Sequence, residues 1–308
     1  MYEQFYELDA RPFDLSPDPK FLVATTIHRE AISNLEYGIT SRKGITLLVG
    51  EAGTGKTTAI RAAVERQPAR THCVHLHNPA LTRDEFIKML AAQFSLSPQA
   101  QVSKTDMLLE LEGLLRRRRE NNETTILIVD EAQSLPSELL DEIRLLTNIE
   151  MPSEKLLPLV IAGQPEIATR LNDPSFSQLK QRIALRCELR PLTMKESVGY
   201  IAGRIRTAGG DPARLFTREA VVLIHEHSRG IPRTINVLAD NALLGGFAAQ
   251  QRPVQTRLVR EVCRDFDIRA PRTIRPQETL LPPPAPRTPH TISASEQRLL
   301  DSAMQASR

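Results

Sequence analysis

Short apolar runs alternate with longer segments of helical periodicity through about the first 190 residues of the chain. In the helical segments, apolar residues recur every three or four positions, as in the helix expected to begin near His28. A strand that is buried on both faces is apolar throughout, so this alternation favours a parallel sheet with helices on both faces. The runs expected to form its strands are Ile45–Val49, Cys73–Leu76, Ile126–Val129 and Leu159–Ala162.

The pattern changes near residue 191, where the strand-like runs end. Four segments with helical periodicity follow, and they predict a small α-helical lid domain. These segments lie near 193–207, 217–228, 232–250 and 255–266. The expected organisation is therefore a lead-in over residues 1–40 that packs on the core, a three-layer αβα core over 41–190 and a helical lid over 191–268.

The last forty residues have a different composition. Residues 271–290 contain seven prolines, which favours an extended or disordered linker, assigned here to 269–292. Beyond it, Ser293–Glu296 fits a helix capping box, and four apolar residues share one helical stripe, which predicts a short amphipathic helix over 293–308. Two interpretations stay open for this tail, a floppy end and a helix that docks on a partner. The stripe residues are Leu299, Leu300, Ala303 and Met304.

Composition adds little that is specific. The chain has 41% hydrophobic and 25% charged residues, and its formal net charge of +3 is too balanced to indicate nucleic-acid binding by itself. The three cysteines are far apart and have no metal-ligand spacing, so we expect reduced thiols of a cytoplasmic protein. No apolar run approaches about 18 residues, and the N-terminus lacks the apolar segment of a signal peptide, so we expect no membrane span.

A glycine-rich segment, Gly50–Thr57, lies between the first expected strand and a helix. It fits the pattern G-x-x-x-x-G-K-[ST], in which backbone N–H groups and a helix N-terminus bind phosphate. We expect Lys56 to reach the β- and γ-phosphates of ATP, and the hydroxyl of Thr57 to bind Mg²⁺. The residues expected to contact the nucleotide are Gly50, Glu51, Ala52, Gly53, Thr54, Gly55, Lys56, Thr57 and Thr58.

Two acids, Asp130 and Glu131, follow the apolar run that ends at Val129. The carboxyl end of a buried parallel strand is where an open α/β sheet places ligand chemistry. We expect Asp130 to hold the Mg²⁺ shell together with Thr57. Glu131 is the expected catalytic group that orients and polarises the attacking water.

Three further polar residues are candidates for catalysis. Gln164 follows the strand run Leu159–Ala162 and is placed to touch the γ-phosphate or the attacking water, although a simple turn residue is the alternative. Arg182 and Arg186 suit developing phosphate charge, and either one could act as an arginine finger in the site of a neighbouring subunit. We favour Arg182, and a surface salt-bridge arginine is the alternative. Arg233 is expected in the first turn of a lid helix, facing the nucleotide; mere capping is the alternative.

Two other polar clusters are more simply explained by structure. The run Arg116–Arg119 ends a helix, where cations complement the helix dipole, and contact with DNA or an acidic partner is the alternative. His75 and His77 alternate with apolar residues, so we interpret them as polar residues near a strand end rather than metal ligands.

Together these residues resemble the AAA+ ATPases, with Walker A at Gly50–Thr57 and Walker B at Ile126–Glu131. Gln164 lies near the sensor-1 position, although Asn or Thr is usual there. The finger motif is Gln181–Ile183, and sensor 2 is Gly230–Arg233. Within that class the sequence is similar to the secretion ATPases of the general secretion pathway protein A type, and to relatives from pilus-biogenesis and exosortase loci. The similarity covers about residues 1–268. It rests on the short sequence segments 1–6, 12–19, 28–31, 142–148 and 163–166.

The resemblance implies an enzyme that binds and hydrolyses ATP with Mg²⁺ between the core, the lid and a neighbouring subunit of a homo-oligomer. It also implies a cytoplasmic protein that drives or regulates assembly of an envelope-associated machine for secretion, pilus formation or exopolysaccharide export. Such a protein would reach the inner membrane through a protein partner. The alternative is a DNA-associated helper ATPase of the transposition-regulator type. A nucleotide switch without hydrolysis is disfavoured because Lys56, Asp130 and Glu131 are all present.

Overall fold

The structure of the chain is a computed structural model. The structure describes residues 1–15, 19–21, 23, 25–76, 81–152 and 154–268. The expected linker (269–292) and tail helix (293–308) lie outside the described residues, as does His77.

A five-stranded parallel sheet forms the centre of the fold, with the strand order β2–β3–β6–β1–β7. Its strands are β1 (Ile45–Gly50), β2 (Thr71–Leu76), β3 (Thr124–Val129), β6 (Leu159–Gly163) and β7 (Ile183–Leu189). A separate antiparallel pair consists of β4 (Glu150–Met151) and β5 (Glu154–Lys155). The predicted α/β class with a parallel sheet is confirmed.

The fifth strand, β7, was not among the four strands expected from the sequence. It is an edge strand, which pairs with β1 on one side. Its buried residues, Cys187 and Leu189, alternate with the exposed Arg186 and Glu188. A half-exposed edge strand lacks the continuous apolar run by which the buried strands were recognised.

Helices cover both faces of the sheet, and successive residues of β1 point to opposite faces. Ile45, Leu47 and Val49 belong to an apolar cluster that also contains buried residues of α3, α4 and α5. Leu48 belongs to a second cluster, with residues of α1 and α2. The helices of this part are α1 (Thr26–Thr40), α2 (Lys56–Glu65), α3 (Arg83–Gln93), α4 (Lys104–Glu120), α5 (Ser137–Leu146), α6 (Pro165–Arg170) and α7 (Ser177–Lys180).

In the part of the chain after β7 that the structure describes, the elements are helices, and they share a third apolar cluster. They are α8 (Met194–Thr207), α9 (Pro212–Leu215), α10 (Arg218–Ser228), α11 (Pro232–Ala248) and α12 (Thr256–Asp265). The four longer helices begin and end within two residues of the expected segments. The short α9 is additional. Within the described ranges, the structure has no helix that is both long and apolar enough to cross a membrane.

The lead-in divides between two parts of the molecule, which corrects the expectation that residues 1–40 pack on the core. Helix α1 packs against the sheet, but the aromatic residues before it lie in the cluster of the C-terminal helices. Phe13 is fully buried there, and its ring lies 6.2 Å from that of Phe216. Tyr6 donates a hydrogen bond to the carbonyl of Leu243 at 3.1 Å. The aromatic rings fill the small helical cluster, where their large apolar area is removed from water.

Candidate active site

The glycine-rich loop connects the end of β1 to the start of α2. Gly53 and Gly55 have φ angles of 81° and 98°, which only glycine adopts readily. A Cβ on Gly53 would lie 2.7 Å from the Cβ of Arg233, and one on Gly55 would lie 3.2 Å from the Nε2 of His28. The backbone conformation therefore favours glycine at both positions, the contact with Arg233 also excludes a side chain at Gly53, and the loop leads directly into a helix N-terminus suited to an anion.

Lys56, the first residue of α2, is 5% exposed. Its Nζ donates to the carbonyl oxygens of Gly50 at 2.8 Å and Glu51 at 3.1 Å. Burial lowers the pKa of this ammonium, and the charges of Glu131, Asp130 and Glu166 oppose that shift. The ammonium is thus held inside the curve of the loop, where phosphate oxygens can replace the backbone carbonyls as its partners.

Thr57 and Asp130 bring the loop and the β3 end together. The Thr57 hydroxyl donates to Asp130 Oδ2 at 2.8 Å. A hydroxyl and a carboxylate are the oxygen ligands that Mg²⁺ prefers in nucleotide sites. The two residues expected to hold this ion are therefore adjacent, and their chemistry fits it.

Glu131 follows Asp130 in a left-handed conformation with φ of 52°. Its backbone N–H donates to Asp130 Oδ1 at 2.9 Å, and its Oε2 accepts from Gln133 Nε2 at 2.5 Å. The other end of the Gln133 amide accepts from the backbone N–H of Gln164 at 2.9 Å. Gln164 is thus connected to Glu131 through Gln133, by its backbone N–H, and contact of its side chain with phosphate or water stays a prediction. Sequence reasoning did not select Gln133, whose signal is its place two residues after Glu131.

Arg233 lies at the glycine-rich loop, and its contact with a nucleotide stays a prediction. Its helix, α11, begins at Pro232, and the backbone N–H of Arg233 donates to the carbonyl of Gly53 at 3.2 Å. Arg233 lines a cavity of about 310 Å³ together with Lys56, Thr57 and Glu131. A cation from the helical part therefore faces the same space as the phosphate-binding loop.

His28 also contacts the loop, and sequence reasoning gave it no role beyond starting a helix. Its Nε2 lies 3.0 Å from the carbonyl oxygen of Thr54, and its Nδ1 lies 2.8 Å from Thr25 Oγ1. A carbonyl can only accept, so Nε2 carries the proton and the Thr25 hydroxyl donates to Nδ1. Burial lowers the pKa of the ring, which favours this neutral form.

Arg182 does not join these residues. It precedes β7 at the opposite end of the sheet, where its carbonyl accepts from the N–H of Ile45, the first residue of β1. Its Nη1 donates to Thr147 Oγ1 at 2.7 Å. Arg186 is exposed on β7, with its guanidinium 4.0 Å from the Glu188 carboxylate.

The other polar clusters have local partners. Arg116 pairs with Glu112 at 2.6 Å, Arg118 donates to Thr125 Oγ1 at 3.0 Å, and Arg119 pairs with Glu154. These contacts favour the structural interpretation of the run Arg116–Arg119. His75 lies within β2. Among the described residues, no three His, Cys, Asp or Glu side chains are grouped to hold a metal ion.

Comparison with known proteins agrees with this geometry. A family model described as an AAA domain matches residues 39–171. General secretion pathway protein A of Aeromonas hydrophila is 38% identical over 249 residues, which are 80% of this chain and 45% of that protein. The chain therefore spans less than half the length of this curated relative.

Solved structures show the same fold at low identity. The ORC2 protein of Aeropyrum pernix matches with a TM-score of 0.61 and 17% identity, over 83% of this chain and 72% of that one. CDC6P of Pyrobaculum aerophilum also matches with a TM-score of 0.61, at 18% identity over 82% of this chain and 70% of that one.

The glycine-rich loop, the acids that follow β3 and the helical C-terminal part define the class: the chain is an AAA-type ATPase. Within that class it is related to general secretion pathway protein A, as its sequence motifs indicated.

Proposed function

We propose that the chain binds and hydrolyses ATP, and that this cycle drives or times the assembly of an envelope-associated machine. One observation carries the hydrolytic part: the hydrogen bond between Thr57 and Asp130 at 2.8 Å brings two separate sequence motifs into a single site. Lys56 and Glu131 flank that contact and line the same cavity. Phosphate binding, metal binding and water activation therefore have candidate residues within one site.

Each residue has a proposed role. The loop N–H groups and Lys56 would hold the β- and γ-phosphates, and Thr57 and Asp130 would hold Mg²⁺. When bound, Mg²⁺ supplies positive charge that neutralises the phosphates. Glu131 would accept a proton from the attacking water, with Gln164 beside it. Arg233 would contact the phosphates from the helical part, so that core and lid respond together to the nucleotide.

Arg182 supports a site shared between subunits. It lies at the opposite end of the sheet from the loop, so it cannot reach the nucleotide of its own chain. In a homo-oligomer it would enter the site of a neighbour and stabilise transition-state charge, as an arginine finger does. Assembly would then be a condition for fast hydrolysis.

The envelope role is supported by the relative from Aeromonas hydrophila, whose name assigns it to a secretion pathway. We place the chain at the cytoplasmic face of the envelope, where a protein partner would hold it near the inner membrane. Division of the chain into a core over 41–190 and a lid over 191–268 is part of the proposal. It is supported by the separate apolar cluster of the C-terminal helices.

The decisive experiment compares Glu131→Gln with the wild type in phosphate release and in binding of a fluorescent ATP analogue. The variant keeps the shape of the side chain and removes the base, so it should bind ATP normally and hydrolyse it at least about 100-fold more slowly. Glu219→Gln, at an exposed position in the first turn of α10, is the matched control. Turnover at the wild-type rate by Glu131→Gln would refute the role of Glu131.

The cellular part needs a separate measurement. In a strain that lacks the chain, the wild type should restore secreted protein, surface pili or exported polysaccharide, and Glu131→Gln should not. Hydrolysis that is strongly stimulated by duplex DNA, with no envelope defect in the deletion strain, would instead support the DNA-helper alternative.

A further inference from the structure

The side-chain amide of Gln133 bridges the ends of two neighbouring strands, β3 and β6. Its Nε2 lies 2.5 Å from Glu131 Oε2, and its Oε1 lies 2.9 Å from the backbone nitrogen of Gln164. A backbone N–H can only donate, so the amide oxygen faces Gln164 and the amide nitrogen faces the carboxylate. The donor at Gln164 and the acceptor at Glu131 therefore fix the orientation of the amide.

Neighbouring groups fix this bridge in place. Arg170 of α6 donates through Nη1 to the carbonyl oxygens of Gln133 at 2.9 Å and of Leu135 at 2.8 Å. A Cβ on Gly163 would lie 2.9 Å from Gln133 Oε1, so a glycine at the end of β6 leaves room for the amide. The backbone and the side chain of Gln133 are thus held independently.

Glu131 needs such support. Its φ of 52° is unusual for a residue with a side chain. Conformations of this kind carry backbone strain and persist only where the surroundings determine them. A general base must also lie within hydrogen-bond reach of the water that it deprotonates, so the direction of its carboxylate limits the rate.

We infer that Gln133 is a positioning residue, which sets the direction of the Glu131 carboxylate and couples it to the end of β6. This inference rests on the proposed role of Glu131 in activating water. Because Gln164 holds the amide through its backbone, a shift of the β6 end moves Gln133, and with it the carboxylate. Contact between Gln164 and the γ-phosphate would then be transmitted to the base.

The first test is Gln133→Met, which keeps an unbranched side chain of similar length and removes both hydrogen bonds. The kcat for ATP should fall about 10- to 100-fold, because a base displaced by about 1 Å loses rate on that scale. The KM and the affinity for a fluorescent ATP analogue should stay within about twofold, since a residue that acts only in the transition state changes kcat alone. Gln93→Met, at the exposed end of α3, is the matched control.

The second test is Gln133→Glu, which has the same shape. The ionised carboxylate can still accept from the Gln164 N–H, but it cannot donate to Glu131 and it repels that carboxylate. Once protonated, it donates as the amide did. The ratio of its kcat to the wild-type kcat should therefore rise as the pH is lowered from 8 to 6, whereas the ratio for Gln133→Met should stay constant. The nearby charges of Asp130, Lys56, Glu166 and Arg170 are present in all three proteins, so they affect both members of each ratio.

Two results would overturn the inference: a wild-type kcat for Gln133→Met, or a raised KM with unchanged kcat. A pH-independent ratio for Gln133→Glu would do the same. If Gln133→Met does not fold, the isosteric Gln133→Glu carries the test alone. Failure of the underlying proposal is distinguishable, because Glu131→Gln would then hydrolyse ATP normally, whereas failure of the inference leaves Glu131→Gln inactive and Gln133→Met active.

Discussion

The two ends of the central sheet carry different candidate functional residues. At the end where β1 and β3 stop, Lys56, Thr57, Asp130 and Glu131 lie around one cavity or contact its lining. At the other end, Arg182 lies beside Ile45, the first residue of β1. Five residue steps separate Ile45 from Gly50, which is about 16 Å at about 3.3 Å per residue.

Because of this separation, we expect the two ends of the sheet to act on nucleotides bound to different subunits. The loop end contains the candidate groups for phosphate, metal and water, so we expect a single chain to bind the nucleotide. The guanidinium of Arg182 is held by the Thr147 hydroxyl, 2.7 Å away, at the distant end. We propose that a cation placed there serves a nucleotide bound to another subunit. The comparison therefore predicts that binding belongs to one chain and fast hydrolysis to an assembly.

The largest effect should come from the loop end. Lys56→Ala removes the buried ammonium from inside the loop. We expect tight ATP binding to be lost and phosphate release to fall to background, because the β- and γ-phosphates lose the cation that the loop holds for them. Titration with a fluorescent ATP analogue measures this, and Lys195→Ala, at an exposed position on α8, is the control. Normal ATP affinity in Lys56→Ala would contradict the assignment of the loop end.

Arg182→Ala should separate binding from hydrolysis. The variant keeps the loop end intact, so ATP affinity should be unchanged, whereas an arginine finger is worth about 10³–10⁵ in kcat. Arg186→Ala, on the exposed face of β7, should retain wild-type activity. The opposite result for the two arginines would move the finger to Arg186.

Mixing variants tests whether the two ends meet across a subunit interface. Arg182→Ala and Glu131→Gln are each expected to be inactive, but a mixed interface can combine an intact base with an intact arginine. Phosphate release should recover partly when the two proteins are mixed, with a maximum near equal amounts. Absence of recovery at every ratio, with co-assembly shown by cross-linking, would mean that the sites are not shared.

A smaller effect is expected from Thr147→Val, which keeps the shape of a residue that is 2% exposed. The change removes the hydroxyl that accepts from Arg182. A hydrogen bond to a charged group is worth about 1.5 kcal/mol, which corresponds to about a tenfold fall in kcat if Arg182 then misses its target. ATP affinity should be unchanged. Thr40→Val, at the exposed end of α1, is the control, and a wild-type kcat for Thr147→Val would show that the hydroxyl does not position the arginine.

The loop end was largely predictable from the sequence, and the reason is local. The continuous motif Gly50–Thr57 predicts the conformation of its own loop. Asp130 and Glu131 directly follow an uninterrupted apolar strand. The contacts of Gln133 and His28 were not predictable in this way. They join residues that are 31 and 26 positions apart, Gln133 with Gln164 and His28 with Thr54, and no local sequence pattern indicates which distant partner a glutamine or histidine side chain will bond.

The edge strand and the lead-in were missed for a different reason. Strand β7 places charged residues on its exposed side, so its apolar positions are interrupted. The aromatic residues near the N-terminus gave no indication of which apolar cluster they would enter. That choice depends on packing with Phe216 and Leu243, more than 200 residues later along the chain. Burial pattern identifies an element, but partners distant in sequence decide where it lies.

The smallest expected effect concerns pH, and it tests the loop end alone, through the titratable ring of His28. Burial lowers the pKa of His28 below its unfolded value of about 6.5. Between the lowered pKa and about pH 6.5 the unfolded chain binds more protons, so the free energy of unfolding should fall as the pH is lowered through that window. Above about pH 6.5 this residue contributes no pH dependence.

The variant His28→Gln tests this role. Its free energy of unfolding at pH 7.5 should be about 0.5–1.5 kcal/mol lower than that of the wild type, because the hydrogen bonds to Thr54 and Thr25 are weakened. Between pH 7 and 5.5, the free energy of unfolding of the variant should fall less than that of the wild type. Denaturant unfolding at both pH values measures this. His227→Gln, whose ring bonds to the Leu223 carbonyl of its own helix at 3.0 Å, is the control, and an equal pH dependence in His28→Gln and the wild type would show that His28 does not hold the loop as a neutral ring.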